Sequence, residues 1–414
     1  MEDDEEDVVD LGRPPAPRWL RIGVRIGVGL AVVALLVIAL RPWSAPTSSL
    51  VVPSVTPPGV GLPTPSTRSW PTVAGAGDSN AEVPIVSSVP SPTRTGIQVL
   101  LGGERLRTVD FDAGRVVTLA GLRSGEYAAV LGGPKGTYAT ASTCEASGSR
   151  ILRIGADQRV SAAGTLPRTG SVLTAGGQAW IVSYPDEAGQ PYGTVVPLGG
   201  GRQVRLPVGF YPYDVVGTTL VGLLQPDPSA PPADLLLVEA ATGHIRARLG
   251  RDAAPIATGN GQVVWTSGCD ATSDQPCILH RLSVATGNIN RFRLPRPAGA
   301  GIVSPDGSRP AFILQRATTD PRYEGRPLPP SDIAVMHFDS GRLEIVPGIE
   351  MPAKSSPGLA FSADGHWLAI ALNAGNRVRL LAWRSGLARP YETGAVPAQV
   401  LGTPTIVPLP TRSG

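Results

Sequence analysis

Residues 304–348 read SPDGSRPAFILQRATTDPRYEGRPLPPSDIAVMHFDSGRLEIVPG. The stretch opens on a turn, Ser304-Pro305-Asp306-Gly307. Pro presets the backbone for a tight turn, and Gly accepts the positive φ that such turns demand. An apolar run follows, Ala311-Phe312-Ile313-Leu314, too short for a stable helix and bounded by turn residues. A polar, irregular segment from Arg316 to Pro330 leads to a second apolar run, Ile333-Ala334-Val335-Met336. The turn Asp339-Ser340-Gly341 closes that run with a hairpin and a last short strand.

The same unit recurs in both directions along the chain. Tight turns stand at Asp112-Ala113-Gly114, Gly155-Ala156-Asp157, Gly199-Gly200-Gly201, Ala241-Thr242-Gly243, Ala285-Thr286-Gly287, Asp339-Ser340-Gly341 and Arg384-Ser385-Gly386. Their spacing is about 43 residues with one longer step, a period that marks a repeat architecture. A second family lies between them: Gly176-Gly177, Gly259-Asn260-Gly261, Ser304-Pro305-Asp306-Gly307 and Ser362-Ala363-Asp364-Gly365. Apolar runs flank both families, as in Leu235-Leu236-Leu237-Val238 and Trp367-Leu368-Ala369-Ile370. Four short strands in each 40-odd residues is the blade of a β-propeller. Seven hairpins give an all-β, seven-bladed propeller over residues 96–414; a ring of six or eight blades, or a pair of β-sandwiches, accommodates the same period.

In its Ser-Pro-Asp-Gly turn, paired strands and final Gly-turn hairpin, the chain resembles the TolB-type, WD-like propeller repeat. Residues 304–348 carry the pattern best and 362–390 fairly well; the other units share its period and turn chemistry. The resemblance implies a fold and no reaction, because the shared residues are turn and strand residues. Closure of the ring is also legible. The first unit begins with Ile97-Gln98-Val99-Leu100-Leu101 and runs straight to its hairpin, one strand short. The chain ends with Ala398-Gln399-Val400-Leu401 and Thr405-Ile406-Val407, with no hairpin after it. The C-terminal strand is expected to complete the first blade, which removes the free edges that invite aggregation.

Before the repeat the texture differs. Residues 22–40, IGVRIGVGLAVVALLVIAL, are apolar but for Arg25 and long enough to cross a bilayer. Arg25 can snorkel, and Trp19 and Trp43 fall at the expected interfaces. Arg13, Arg18, Arg21 and Arg25 precede the span and only Arg41 follows closely, which orients residues 1–21, acidic and then Arg-rich, toward the cytoplasm. Trp43 and Pro46 disfavour cleavage after Ala45, so a single-pass anchor in the cell membrane is expected rather than a signal peptide. Residues 41–95 hold 11 Pro and 17 Ser or Thr, a composition that reads as a disordered stalk and a tether for an extracytoplasmic domain.

The remaining composition excludes several functions. Net charge is +3 and no basic block is present, so nucleic acid is not an expected partner. Only Lys135 and Lys354 stand among 36 basic residues, an Arg bias typical of GC-rich coding such as that of actinobacteria. His244, His280, His337 and His366 are not clustered, so no metal or other cofactor is expected. No Gly-x-Ser-x-Gly elbow, phosphate loop or dinucleotide motif occurs. Asp306 and Asp364 sit in tight turns, where capping explains them. Asp186, Glu187, Asp214, Asp320 and Glu324 are the carboxylates a propeller glycosidase could use, but nothing in their spacing pairs them. Cys269 and Cys277 flank a polar loop that a disulfide would close in an oxidising compartment; two free thiols are the other reading, and Cys144 has no evident mate.

If strands are lettered A to D from the axis outward, the A–B and C–D turns share one face and the B–C and D–A loops the other. The first set is short and Gly-rich. The irregular segments, Tyr184–Tyr192, Gln225–Pro232, Ser267–Cys277 and Arg316–Pro330, all fall on the second face, where a binding site is expected. Tyr184, Tyr192 and Tyr323 are placed in B–C loops, and Tyr127, Tyr211 and Tyr213 in D–A connections; Arg316, Arg322 and Arg326 share the longest loop. Tyr and Arg are enriched where proteins bind partners. Tyr184, Tyr192, Tyr211, Tyr213, Arg316, Arg322, Tyr323 and Arg326 are therefore the candidate partner-binding residues. The expected function is a non-enzymatic, membrane-anchored scaffold for an unidentified protein or cell-envelope partner. An envelope-sensing signalling protein and a glycan-active propeller enzyme are the alternatives.

Overall fold

The computed structural model describes residues 82–84, 94–133, 136–143, 148–167, 170–175, 177–184, 192–225, 234–269, 277–315, 331–349, 351, 356–398, 400 and 403–409. The expected anchor segment 22–40, most of segment 41–95, Cys144, Arg316, Arg322, Tyr323 and Arg326 lie outside them.

The described residues form a seven-bladed β-propeller. Six sheets have four antiparallel strands in chain order. The inner strands of blades 2 to 7 are Tyr127–Gly133, Gly170–Ala175, Phe210–Val216, Ala254–Gly259, Ala298–Val303 and Gly358–Phe361. Blade 1 is composite. Its inner strand is the C-terminal Ile406–Pro408, followed outward by Gln98–Leu101, Leu106–Asp110 and Arg115–Leu119. Ile406, Val407 and Pro408 pair antiparallel with Leu101, Leu100 and Val99, so the last strand closes the ring as expected.

Glu82–Pro84, inside the segment 41–95 read as stalk, is a fifth and outermost strand of blade 1, paired with Arg115–Val117. The outer strand Arg115–Leu119 offers unpaired backbone groups, and a passing extended segment satisfies them. Thr95 and Gly96 are held as well. Their backbone N–H groups donate to the Asp112 carboxylate at 2.8 and 2.9 Å, and the Thr95 hydroxyl donates to it at 2.8 Å.

The core lies between blades rather than within one layer, because each sheet buries both faces against its neighbours. One cluster joins blades 6 and 7 through Ile313, Ile333, Leu359, Ile370 and Trp383. Another joins blades 5 and 6 through Val264, Leu279, Phe312 and Met336. The closing residues Val407 and Leu409 pack with Leu100, Val130 and Leu152 in the seam between blades 1 and 2.

The two Ser-containing turns have one shared hydrogen-bond design. In blade 6 the Ser304 hydroxyl donates to Asp306 at 2.5 Å and accepts from the Arg309 N–H at 3.0 Å. In blade 7 the Ser362 hydroxyl donates to Asp364 at 2.5 Å and accepts from the Trp367 N–H at 2.9 Å. Gly307 and Gly365 take φ of 75° and 72°, which explains glycine at the fourth position. Asp306 and Asp364 thus cap turns. Burial opposes their ionisation, but the Ser and N–H donors hold both carboxyls below the usual carboxylate value.

Cys269 and Cys277 are joined by a disulfide, their Cα atoms 4.5 Å apart, closing the loop after the second strand of blade 5. In blade 2, Glu126 is 6% exposed and accepts from Arg150 through both oxygens, with Nε at 2.7 Å. The Arg150 bonds, aided by the Arg123 N–H and opposed by burial, hold the Glu126 carboxyl below its ordinary value. Its stabilisation is therefore full above the usual glutamate range and is lost as pH falls through the lower folded value. Glu126→Gln should cost on the order of 3 kcal/mol at pH 7 by leaving Arg150 unneutralised. The difference from wild type should shrink in urea titrations as pH falls below the usual glutamate range; a constant difference would show that packing, not charge, is the cause.

Candidate functional site

The described part of the B–C/D–A face carries an aromatic cluster on blades 3 and 4. It grows from a short connection. The outer strand of blade 3, Val204–Val208, passes through Gly209 alone, at φ 70°, into Phe210–Val216, the inner strand of blade 4. Tyr211 and Tyr213 therefore lie on the inner strand, not in a D–A loop as expected. Aromatics are strong strand formers, and a single positive-φ glycine makes the whole turn. Tyr127 is likewise the first residue of an inner strand, and Tyr192 the first residue of the third strand of blade 3.

Along Phe210–Val216 burial alternates: Phe210 and Pro212 are buried, whereas Tyr211 and Tyr213 are 40% and 45% exposed. Two-residue periodicity puts both rings on one side. The register slips between Pro212 and Asp214, where Gly222 pairs with Pro212 and Val221 with Asp214, leaving Tyr213 as the extra residue of a bulge. Gly222 is required there. A Cβ at 222 would meet the Tyr211 carbonyl oxygen and stand 2.7 Å from the Phe210 ring.

Tyr184, at the end of the second strand of blade 3, supports the pair. Its ring stacks on Tyr211 with centroids 6.4 Å apart and planes inclined by 23°. Its hydroxyl lies 2.7 Å from the Ser171 hydroxyl and donates to the Pro212 carbonyl at 3.4 Å. Tyr192 is covered differently: the Arg205 guanidinium sits 4.6 Å above its ring. Val208, 54% exposed, adds apolar surface immediately before Gly209. The structure thus brings Tyr184, Tyr211 and Tyr213 together on adjoining blades and leaves Tyr192 nearby under Arg205.

Asp214 follows Tyr213. Burial raises its carboxyl above the ordinary value, although Thr258 Oγ1 donates to it from the inner strand of blade 5 and the Val215 N–H from its own strand. Partial burial, and then the Asp214 charge, also raises the Tyr213 phenol, which stays a hydrogen-bond donor at neutral pH as an unshifted phenol would. Asp186, Glu187, Asp320 and Glu324 lie outside the described residues.

Elsewhere, Ser267 Oγ lies 2.7 Å from His280 Nε2, a contact the sequence did not suggest because the residues are 13 positions apart. The imidazole stacks on Trp265 at 4.8 Å, and burial, then the Arg291 charge, keeps it below its ordinary pKa. His280 accordingly serves as a neutral, packed ring. Among the described residues no group of three or more His, Cys, Asp or Glu could hold a metal ion.

No protein-family model matches the chain, and no curated protein sequence matches it. Solved structures do. The chain is similar to an oligogalacturonate lyase in complex with manganese, with a TM-score of 0.50 at 12% identity over 71% of this chain and 88% of that one. It is similar to TolB from Acinetobacter baumannii, with a TM-score of 0.42 at 13% identity over 76% and 67%. It is also similar to a putative 6-phosphogluconolactonase from Bacteroides uniformis, with a TM-score of 0.48 at 12% identity over 75% and 100%. What they share is the propeller. At such identities the likeness carries no site residue across, and the printed functions differ from one another.

Proposed function

We propose that the chain is a membrane-anchored, extracytoplasmic and non-enzymatic propeller that captures a protein or cell-envelope partner through the tyrosine cluster of blades 3 and 4. The observation that supports this most directly is the exposure of Tyr211 and Tyr213 on a rigid inner strand, with Tyr184 stacked behind. Large aromatics with few rotatable bonds give contact area at low entropic cost, and their hydroxyls supply orientation. The sequence supports the rest: the apolar span 22–40, its flanking arginines and the Pro/Ser/Thr-rich segment after it.

The test is crosslinked co-purification of the full chain from native membranes, beside a control ending at residue 81. Tyr211→Ala/Tyr213→Ala should lower capture of the enriched partner at least tenfold, as expected for two hot-spot rings, while the melting temperature stays within a few degrees. Undiminished capture by a folded double variant removes this face from the reading. A partner set identical to that of the control removes the scaffold.

A further inference from the structure

We propose that a cleft on the opposite face, over blade 3 at the A–B and C–D turns, binds a small anionic amphiphile: an apolar body carrying one carboxylate, phosphate or sulfonate. The cleft encloses about 730 Å³ between blades 2 and 4. That is within the range of small-molecule sites, roughly 300–1,000 Å³.

Its origin is an underfilled seam. Among the described residues, five buried apolar side chains join blades 2 and 3, against thirteen between blades 6 and 7. At the axis the two blades touch closely, since a Cβ on Gly136 would stand 2.9 Å from the Gly177 Cα. Farther out the side chains are too small to keep contact. The outer strand of blade 2 reads VSAAGTL, where that of blade 5 reads INRFRL. The C–D turn of blade 3 is Gly199-Gly200-Gly201, with open space where a Cβ at 199 or 200 would stand.

The walls include Ala163, Trp180, Leu198 and Val204, an apolar surface for an acyl or aryl group. Two exposed guanidiniums, Arg153 and Arg202, also line it. Elsewhere the propeller pairs arginines with carboxylates, as in Arg150–Glu126, Arg248–Asp234, Arg296–Asp332 and Arg379–Glu392. Among the described residues, the side chains of Arg153 and Arg202 have no hydrogen bond or ion pair, and no carboxylate lines the cleft. Two free guanidinium forks beside an apolar wall match an oxyanion head on an apolar body. A neutral ligand would leave the charges unused, and an anion without an apolar part would leave the wall wet.

The experiment uses the full chain in zwitterionic nanodiscs, with empty discs subtracted. The fluorescent probe is 8-anilinonaphthalene-1-sulfonate; its competitors are decanoate, decan-1-ol and inorganic phosphate. Wild type should bind the probe above the empty-disc signal, and decanoate should displace it at a concentration about tenfold lower than decan-1-ol. Arg153→Gln/Arg202→Gln should erase the difference between the two competitors without changing the melting temperature. Ala163→Trp, which fills the cleft, should abolish probe binding. No binding above empty discs, equal competition by decan-1-ol, displacement by phosphate alone, or an unchanged decanoate preference in the double Arg variant would each overturn the proposal.

Discussion

Removing residues 403–414 should abolish cooperative unfolding and leave a protease-sensitive chain. The deletion takes away the inner strand of blade 1 and with it Ile406, Val407 and Leu409, which are 5%, 8% and 7% exposed. Burying each such side chain contributes about 1.5–3 kcal/mol, so the three together contribute about 4.5–9 kcal/mol. That equals much of the 5–15 kcal/mol that ordinarily separates a folded domain from its unfolded state. The deletion also strips the inner-side backbone partners of Val99, Leu100 and Leu101 and removes the packing of Val407 and Leu409 against Val130 and Leu152 across the seam. A full-length control with Ile406→Ala alone should stay folded and lose about 2–4 kcal/mol. A truncated protein that still melts in one sharp transition would show that the other six blades are self-sufficient.

Trp265→Ala should be the most damaging single core substitution, at about 3–5 kcal/mol. Trp265 is 1% exposed, packs with Val221, Leu235 and Val263 in the seam between blades 4 and 5, and stacks on His280. Its indole Nε1 is buried without a partner among the described residues. Trp265→Phe keeps most of the ring volume and deletes that orphan donor, whose burial is itself unfavourable. It should cost about 1 kcal/mol or less. Chemical denaturation of the two variants separates volume from polarity: a Phe variant as weak as the Ala variant would mean that the N–H is satisfied after all. His280 adds a pH signature. Its folded pKa lies below the ordinary value, so the stability it supports is present above the usual histidine range and is lost as pH falls through it. Wild type should weaken as pH falls below the usual histidine value toward the lower folded one, and His280→Phe should flatten that slope.

The fold was legible because its signals are local. Gly307 and Gly365 mark turns by a conformation that few other residues adopt, and runs such as Ile333–Met336 announce strands by composition. Even the closure between Gln98–Leu101 and Ile406–Pro408 followed from counting strands, one missing at the start and one spare at the end. The candidate binding face was less legible, because it depends on which way a side chain points. Tyr211 and Tyr213 were placed in a connection, when Gly209 alone makes that connection and the tyrosines already belong to a strand. The contact between Tyr184 and Tyr211 joins two blades across 27 positions, and no pattern within one repeat encodes it. The strand Glu82–Pro84 was hidden for another reason. Its residues are ordinary for a tether, and its structure comes from the open edge it meets.

The composite first blade also sets the order in which the molecule can assemble. Blades 2 to 7 are each drawn from one continuous stretch, so each can form as soon as its own residues emerge. Blade 1 cannot, because Leu100 must wait for Val407, a partner more than 300 positions later in the chain. Contacts of such long sequence separation carry the largest loop entropy and form late. Throughout synthesis the strand Gln98–Leu101 stands with one edge unpaired, the kind of edge that recruits stray strands. The slow phase of refolding should therefore report this one seam, and the nascent protein is most exposed to aggregation in the interval before Ile406–Pro408 is free to pair.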